Sequence, residues 1–217
     1  MGTRSEVVGE LAASIPAAVD HPVRVAIDGM TGVGKTTLRG ELADALRALG
    51  RPVTEVSADD FHHQRERRYA QGRGSAIGYF EDAYDYEALA QKLLIPLGPG
   101  GDRHVRLRHH DLETDALLSD EPTVRVAVNA VVVVDGSFLQ RPESAAHWDW
   151  VIFVKATREA SAERQVVRDG APADPEHPYH ARYFGGYDIY QERLDPRSSA
   201  NVVLDNTDLG HPRIVRT

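Results

Sequence analysis

Gly29-Met30-Thr31-Gly32-Val33-Gly34-Lys35-Thr36-Thr37 follows directly on the apolar stretch Val23-Arg24-Val25-Ala26-Ile27 and Asp28. A strand that enters a glycine-rich turn and then a helix is the setting in which the pattern GxxxxGK(S/T) binds phosphate. Glycine lets the backbone turn tightly and point its N–H groups inward, and a helix starting near Lys35 adds the positive end of its dipole. Gly29, Thr31, Gly32, Val33, Gly34, Lys35, Thr36 and Thr37 are therefore the expected nucleotide-binding residues. In such a loop Lys35 reaches the β and γ phosphates and the Thr36 hydroxyl holds Mg2+. Lysine is scarce here, since only Lys35, Lys92 and Lys155 stand among the 25 basic residues, so a lysine at this place is not background. The alternative reading is a βα turn that binds nothing.

Outward from the loop, Leu38, Leu42, Ala45, Leu46 and Leu49 recur at helical spacing, and Gly50 with Pro52 ends the helix. Val53–Ser57 reads as a second strand, ending at Ala58-Asp59-Asp60-Phe61-His62-His63. Residues 62–82 are polar, aromatic and glycine-rich, which predicts a long functional loop. Helix returns at about Tyr86–Leu94, and Pro96-Leu97-Gly98-Pro99-Gly100-Gly101 is a turn cluster. Within about 100–130, the alternating runs His104–His110 and Thr123–Val128 predict a paired β-ribbon insertion. Val131–Val134 is apolar on both faces and suits a buried parallel strand. Trp150–Val154 repeats that signal, Thr157 caps a helix to about Arg168, and 169–181 reads as a mobile connection. A helix at about His180–Leu194 and a last strand at Asn201–Leu204 follow, with about 164–193 forming a lid region. The fold class is α/β: a parallel sheet flanked by helices, with ligands at the carboxyl ends of the strands.

A chain of 217 residues with 41% apolar content buries one substantial core, so a single domain over 1–217 is expected. A formal charge of −8 argues against an extended nucleic-acid or anionic-membrane surface. The absence of cysteine excludes disulfides and thiolate metal sites. Val7, Val8, Leu11, Ala12 and Ile15 beside Glu6 and Glu10 describe an amphipathic helix at the start, not a signal peptide. No stretch is long and apolar enough to span a bilayer, and a soluble cytoplasmic protein is the expectation.

Asp135-Gly136 ends the valine run, where a carboxylate serves Mg2+ beside the phosphates or, on the plainer reading, makes a turn. Asp59 and Asp60 end the neighbouring strand, where an acceptor hydroxyl would approach and a carboxylate would take its proton. Adjacent extended side chains point apart, so the two do not share one job; a helix cap is the alternative. Arg164 and Arg168, four apart on a helix, share a face from which both could neutralise a transferring phosphoryl group, against a reading as solvated surface. Arg182 has a weaker claim of the same kind. The pairs His62-His63 and His109-His110 lack helical zinc spacing, and loop surface or acceptor contact suits them better.

These stretches resemble the uridine kinase and phosphoribulokinase family of P-loop kinases from about Val23 to Asn206. The resemblance rests on the phosphate loop, Val56-Ser57-Ala58-Asp59-Asp60-Phe61-His62, Asp82-Ala83-Tyr84-Asp85, Val132-Val133-Val134-Asp135-Gly136 and Arg164-Gln165-Val166-Val167-Arg168-Asp169. It implies ATP and Mg2+ as cofactors, Asp59 as catalytic base, Lys35 at the phosphates, Asp135 in the place of the family's magnesium-serving Glu, and Arg164 and Arg168 as lid arginines. It also raises self-association into a homo-oligomer. The departures fall on the acceptor side. Tyr79 stands where uridine kinases carry an aspartate for the ribose hydroxyls. His110-Asp111-Leu112-Glu113-Thr114-Asp115 replaces the family's segment at the base. Asp59, His62, Tyr79, His110 and Arg182 are thus the acceptor candidates. The acceptor is a nucleoside-like or other small polar hydroxyl compound, such as a pantothenate-like molecule or a sugar phosphate. A switch NTPase that activates water and a nucleotide-binding protein without turnover compete with the kinase reading.

Overall fold

The computed structural model describes residues 2–215. α1 (Arg4–Ser14) leads into β1 (Val23–Gly29), the phosphate loop, α2 (Lys35–Ala48) and β2 (Val53–Ser57). Two short helices, α3 (Arg65–Arg68) and α4 (Ala76–Asp82), precede a longer one. This begins as α5 (Tyr86–Leu89), widens to π geometry over Ala90–Leu94 and ends as α6 (Ile95–Leu97). The two-residue strands β3 (His104–Val105), β4 (His110–Asp111), β5 (Ala116–Leu117) and β6 (Val124–Arg125) then lead to β7 (Val131–Gly136). α7 (Pro142–Ala145), β8 (Trp150–Lys155), α8 (Arg158–Asp169), α9 (Pro178–Leu194), β9 (Val202–Asp205) and β10 (Arg213–Val215) complete the order.

The central sheet runs β10-β9-β8-β1-β7-β2, parallel except for β10. Side chains alternate across a strand, so the four valines of β7 feed both faces. Val131 and Val133 pack with Val25, Ile27, Leu38 and Leu42, while Val132 and Val134 pack with Ala26, Val56 and Phe138. Burial on both sides fixes the register, which sets Asp135 opposite Ile27 of β1 and Ser57 of β2. The turns after β1, β2 and β7 therefore open on the same sheet edge. Among the described residues no helix is long and apolar enough to cross a membrane.

Four expectations change. The segment 62–82 is not all loop, because Ser75 caps α4 by accepting a hydrogen bond from Gly78 N at 3.0 Å. Small residues on α9 let α4 approach closely: a Cβ on Gly186 would stand 2.8 Å from the Tyr79 ring. The helix after Tyr86 continues through Pro96 to Leu97. Proline has no N–H, and the Lys92 carbonyl four residues back instead accepts from Arg106 N at 3.0 Å. The insertion does not pair as two long runs, since β3 pairs with β6 while β4 turns back on β5. Finally, β9 is not the last strand; β10 adds an antiparallel edge too short to show periodicity in sequence.

Candidate active site

The phosphate loop is held from outside as well as by its own glycines. Gly34 precedes α2 in the left-handed region at φ 92°, and Gly32 lies there at φ 73°. A Cβ on Gly32 would stand 2.5 Å from Ser161 Oγ, because Ser161 of α8 reaches in to donate to the Thr31 carbonyl at 2.5 Å. Asn206, just past β9, donates from Nδ2 to the Val33 carbonyl at 2.7 Å. Val33 itself is fully buried and plugs the core beneath the loop. Lys35 Nζ lies across the loop, donating to the Gly29 and Met30 carbonyls at 2.8 Å each. Burial pushes its pKa down, against the pull of the Asp135, Asp28 and Asp59 charges.

Under the loop, Asp28 is fully buried. Its carboxylate accepts from Gly29 N at 2.7 Å, Tyr190 OH at 2.5 Å and Gln140 Nε2 at 3.0 Å. Burial raises its pKa, opposed by the bonds from Tyr190 and Gln140 and by the Lys35 charge. This group ties the phosphate loop to α9, and sequence reasoning passed over it. The signal was present as a single acid within an apolar strand.

At the end of β7, Asp135 Oδ2 accepts from Thr36 Oγ1 at 2.7 Å, and Oδ1 pairs with Arg39 Nη1 at 2.5 Å. A hydroxyl and a carboxylate at this spacing form a hard oxygen donor set that fits Mg2+. Both Asp135 oxygens are already engaged by protein donors, which suits an ion held through water. Among the described residues no group of three His, Asp or Glu side chains is arranged to hold a metal by itself.

β2 passes into a 3-10 turn over Ala58–Phe61 that separates the two aspartates. Asp59 faces the cleft with its side chain 60% exposed and accepts from Tyr84 OH at 3.2 Å. Asp60 turns the other way and pairs with Arg108 at 3.2 Å. Burial raises the Asp60 pKa, and the Arg108 bond opposes it. His62 Nδ1 contacts the Asp59 carbonyl at 2.9 Å, and its ring lies 4.1 Å from that of Tyr84. Tyr79 completes this wall, edge-on to Phe138 at 5.0 Å and to Tyr183 at 5.1 Å, and burial pushes its phenol up to about 12.

One cleft of about 840 Å³ gathers Thr31, Gly32, Gly34, Lys35, Thr36, Thr37, Asp59, His62, Tyr79, Asp135, Arg164 and Arg168. Arg4, Tyr84, Ser137, Asp169 and Tyr183 line it too, and none of them stood among the candidates read from sequence. Gly29 and Val33 sit beneath the loop, off the lining. The two arginines expected in the lid differ. Arg164 donates to the Asn206, Thr207 and Val33 carbonyls at 2.7, 2.8 and 3.3 Å, bracing the phosphate loop. Among the described residues Arg168 is bound only to the adjacent Asp169, at 2.6 and 2.8 Å. His110 and Arg182 lie off the cleft. His110 is fully buried against Asp115, and Arg182 donates to the carbonyls of Arg68, Gly72, Arg73 and Ser75.

Comparison with solved structures gives a possible uridine kinase from Bacillus stearothermophilus, 25% identical at a TM-score of 0.70, over 92% of this chain and 96% of that one. The chain has the fold of the P-loop kinases of the uridine kinase and phosphoribulokinase group. Other solved kinases share the fold. They include phosphoribulokinase from Rhodobacter spheroides, 16% identical at a TM-score of 0.59 over 86% of this chain and 70% of that one. D-glycerate 3-kinase from Cryptococcus neoformans var. grubii serotype A matches at 15% identity and a TM-score of 0.59, over 99% of this chain and 100% of that one. No protein-family model matches the sequence, and no curated protein does.

Proposed function

We propose that the protein is an ATP- and Mg2+-dependent kinase that transfers the γ-phosphoryl group to a hydroxyl of a small, nucleoside-sized acceptor. The observation that carries this reading is the exposed Asp59 carboxylate on the same cleft as Lys35, Thr36, Asp135 and Arg168. A water-activating switch has no need of an enclosed wall of Tyr79, Tyr84, Tyr183 and His62 beside its phosphates. Those rings suit a flat or sugar-like acceptor. The kinase names of the solved neighbours support the reaction class, and their differing acceptors leave the substrate to this chain's own lining.

In this reading the triphosphate lies over the N–H groups at the start of α2, and Lys35 Nζ leaves its loop carbonyls for the β and γ phosphates. Bound between Thr36 and Asp135, Mg2+ would neutralise charge on the phosphate oxygens. Asp59 orients the acceptor hydroxyl in line with the γ phosphorus and takes its proton as the new P–O bond forms and ADP departs. Arg168 exchanges Asp169 for the transferring group, while Arg164 keeps the loop in place. Closure of the connection between α8 and α9 over the cleft would exclude water and suppress hydrolysis.

The test is ADP release from Mg-ATP by the purified chain, alone and with pools of nucleosides, sugar phosphates and hydroxy acids. Release that depends on an acceptor is the expected result. Release independent of every pool would replace the kinase reading with that of a hydrolase or switch.

A further inference from the structure

We propose that Arg4, on the helix that precedes the first strand, is a nucleotide-binding residue whose guanidinium plane stacks against the base. This rests on the nucleotide part of the kinase reading and extends the site to an element that carries none of the expected motifs. The sheet order decides where the base lies. β7 and β2 stand on one side of β1, with Asp135 and Asp59 at their ends, and β8 and β9 stand on the other. A triphosphate that lies along the loop with its γ group toward Asp59 therefore carries its base to the β9 side. The cleft residues in or against the segment after β9 are Arg4, Gly34, Arg164 and Leu209. Arg4 reaches this place from a rigid element. Thr3 caps α1, and Val7, Val8 and Leu11 share a core with Leu38 and Leu42 of α2.

The guanidinium is held by its edges. Nε donates to the two Glu41 oxygens at 2.8 and 3.0 Å, and Nη2 lies 2.7 Å from the same carboxylate. Nη1 donates to Asn206 Oδ1 at 2.9 Å and to the Leu209 carbonyl at 3.1 Å. The N–H donors of arginine lie in its plane, so the part left for a ligand is the flat face. The side chain keeps 20% of its surface open. Arg164 is engaged in the same manner, by the carbonyls of Val33, Asn206 and Thr207. Burial and then the nearby Arg4 charge lower the Arg164 pKa, so two like charges are kept close together at this end of the cleft. An aromatic base offsets that repulsion, because a guanidinium is attracted to a π face and stacks on it as an ammonium does not. Leu209, 46% exposed, adds apolar surface beside Gly34, where a Cβ would stand 3.9 Å from its Cδ2. A stacked base would remove that surface from water.

The experiment measures, by calorimetry on the full chain, the binding of a non-hydrolysable Mg-ATP analogue, the matching GTP analogue and Mg-tripolyphosphate, which carries the phosphates without base or ribose. Arg4→Ala should weaken both nucleotide analogues at least about fivefold and leave tripolyphosphate affinity within about twofold. The two nucleotides should lose by similar factors, because every base presents a face. A residue that only braced the loop through Asn206 would weaken all three ligands alike. Arg4→Lys keeps the Glu41 ion pair but not the plane, so it should show the same pattern and takes the place of Arg4→Ala if the latter does not fold. Losses that are shared by tripolyphosphate, confined to one base or smaller than these overturn the proposal. ADP release with acceptor pools is measured separately on the unaltered chain. Nucleotide-selective losses in a protein that releases no ADP would uphold the stacking role and remove the kinase reading, and acceptor-dependent release with unselective losses would do the reverse.

Discussion

In the proposed kinase the phosphate-binding backbone of the cleft, its nucleotide half, comes from one contiguous loop, whereas the acceptor half is assembled from Asp59 and His62, the α4 helix with Tyr84, and Tyr183 of α9. The first binds through backbone N–H groups, so its chemistry is set by spacing within a few residues. The second binds through side chains that only packing brings together. Specificity therefore resides in the half where local sequence says least, and the two halves should respond differently to substitution.

The largest expected effect falls on the acceptor half. Asp59→Asn should lower kcat by roughly 10²–10⁴-fold, the usual range for a positioned general base. Calorimetry should find nucleotide affinity nearly unchanged, because Asp59 bonds to Tyr84 and not to the phosphate loop. Retained turnover would remove Asp59 from the base role. Lys35→Ala should break the separation from the other side, with kcat down about 10²–10³-fold and nucleotide binding weakened as well. Full activity with unchanged ATP affinity would count against the phosphate-loop reading.

A smaller effect tests whether the nucleotide half depends on its braces. Gly32→Ala would place a Cβ against Ser161 Oγ and Ser161 O, at 2.5 and 2.7 Å, in a left-handed backbone. A cost of about 1–3 kcal/mol is expected. It should appear as weaker nucleotide binding with little change in acceptor KM. Equal losses on both sides would show that the halves are mechanically one.

That asymmetry also explains what the sequence showed. The strand before Gly29, the buried valines of β7 and the cap at Thr157 are local signals, and each element lies where its periodicity predicts. The α4 helix was hidden because Gly72, Gly74 and Gly78 give its surroundings the composition of a loop. Its stability comes from α9, through Tyr79 against Tyr183 and the close approach at Gly186. The division of labour between Arg164 and Arg168 was equally illegible. Helical spacing gives both the same face, and only the carbonyls of Asn206 and Thr207, some forty residues on, decide that one is a brace. Asp28 was visible as a residue, but its partners Gln140 and Tyr190 lie beyond any local pattern.

The smallest effect is a pH dependence at the rear of the nucleotide half. Burial disfavours the Asp205 charge, but hydrogen bonds from Lys155 at 2.7 Å and from Thr207 outweigh it and hold the pKa at about 2, below its ordinary 3.8. A carboxyl with a depressed folded pKa stabilises the native state above its unfolded pKa, and this contribution disappears as pH falls from about 4 to about 2. The pair is partly open to solvent, which limits its worth to about 1 kcal/mol. Lys155→Met should therefore lower stability at pH 7 by about that amount, and urea titrations of the two proteins should converge as pH falls through this window. Asp205 immediately precedes Asn206, which holds the Val33 carbonyl. At neutral pH the variant should thus weaken nucleotide binding by no more than about fivefold, the factor that corresponds to 1 kcal/mol, and leave acceptor KM unchanged. A shift in acceptor KM of the same size would mean that the β9 end supports both halves of the cleft.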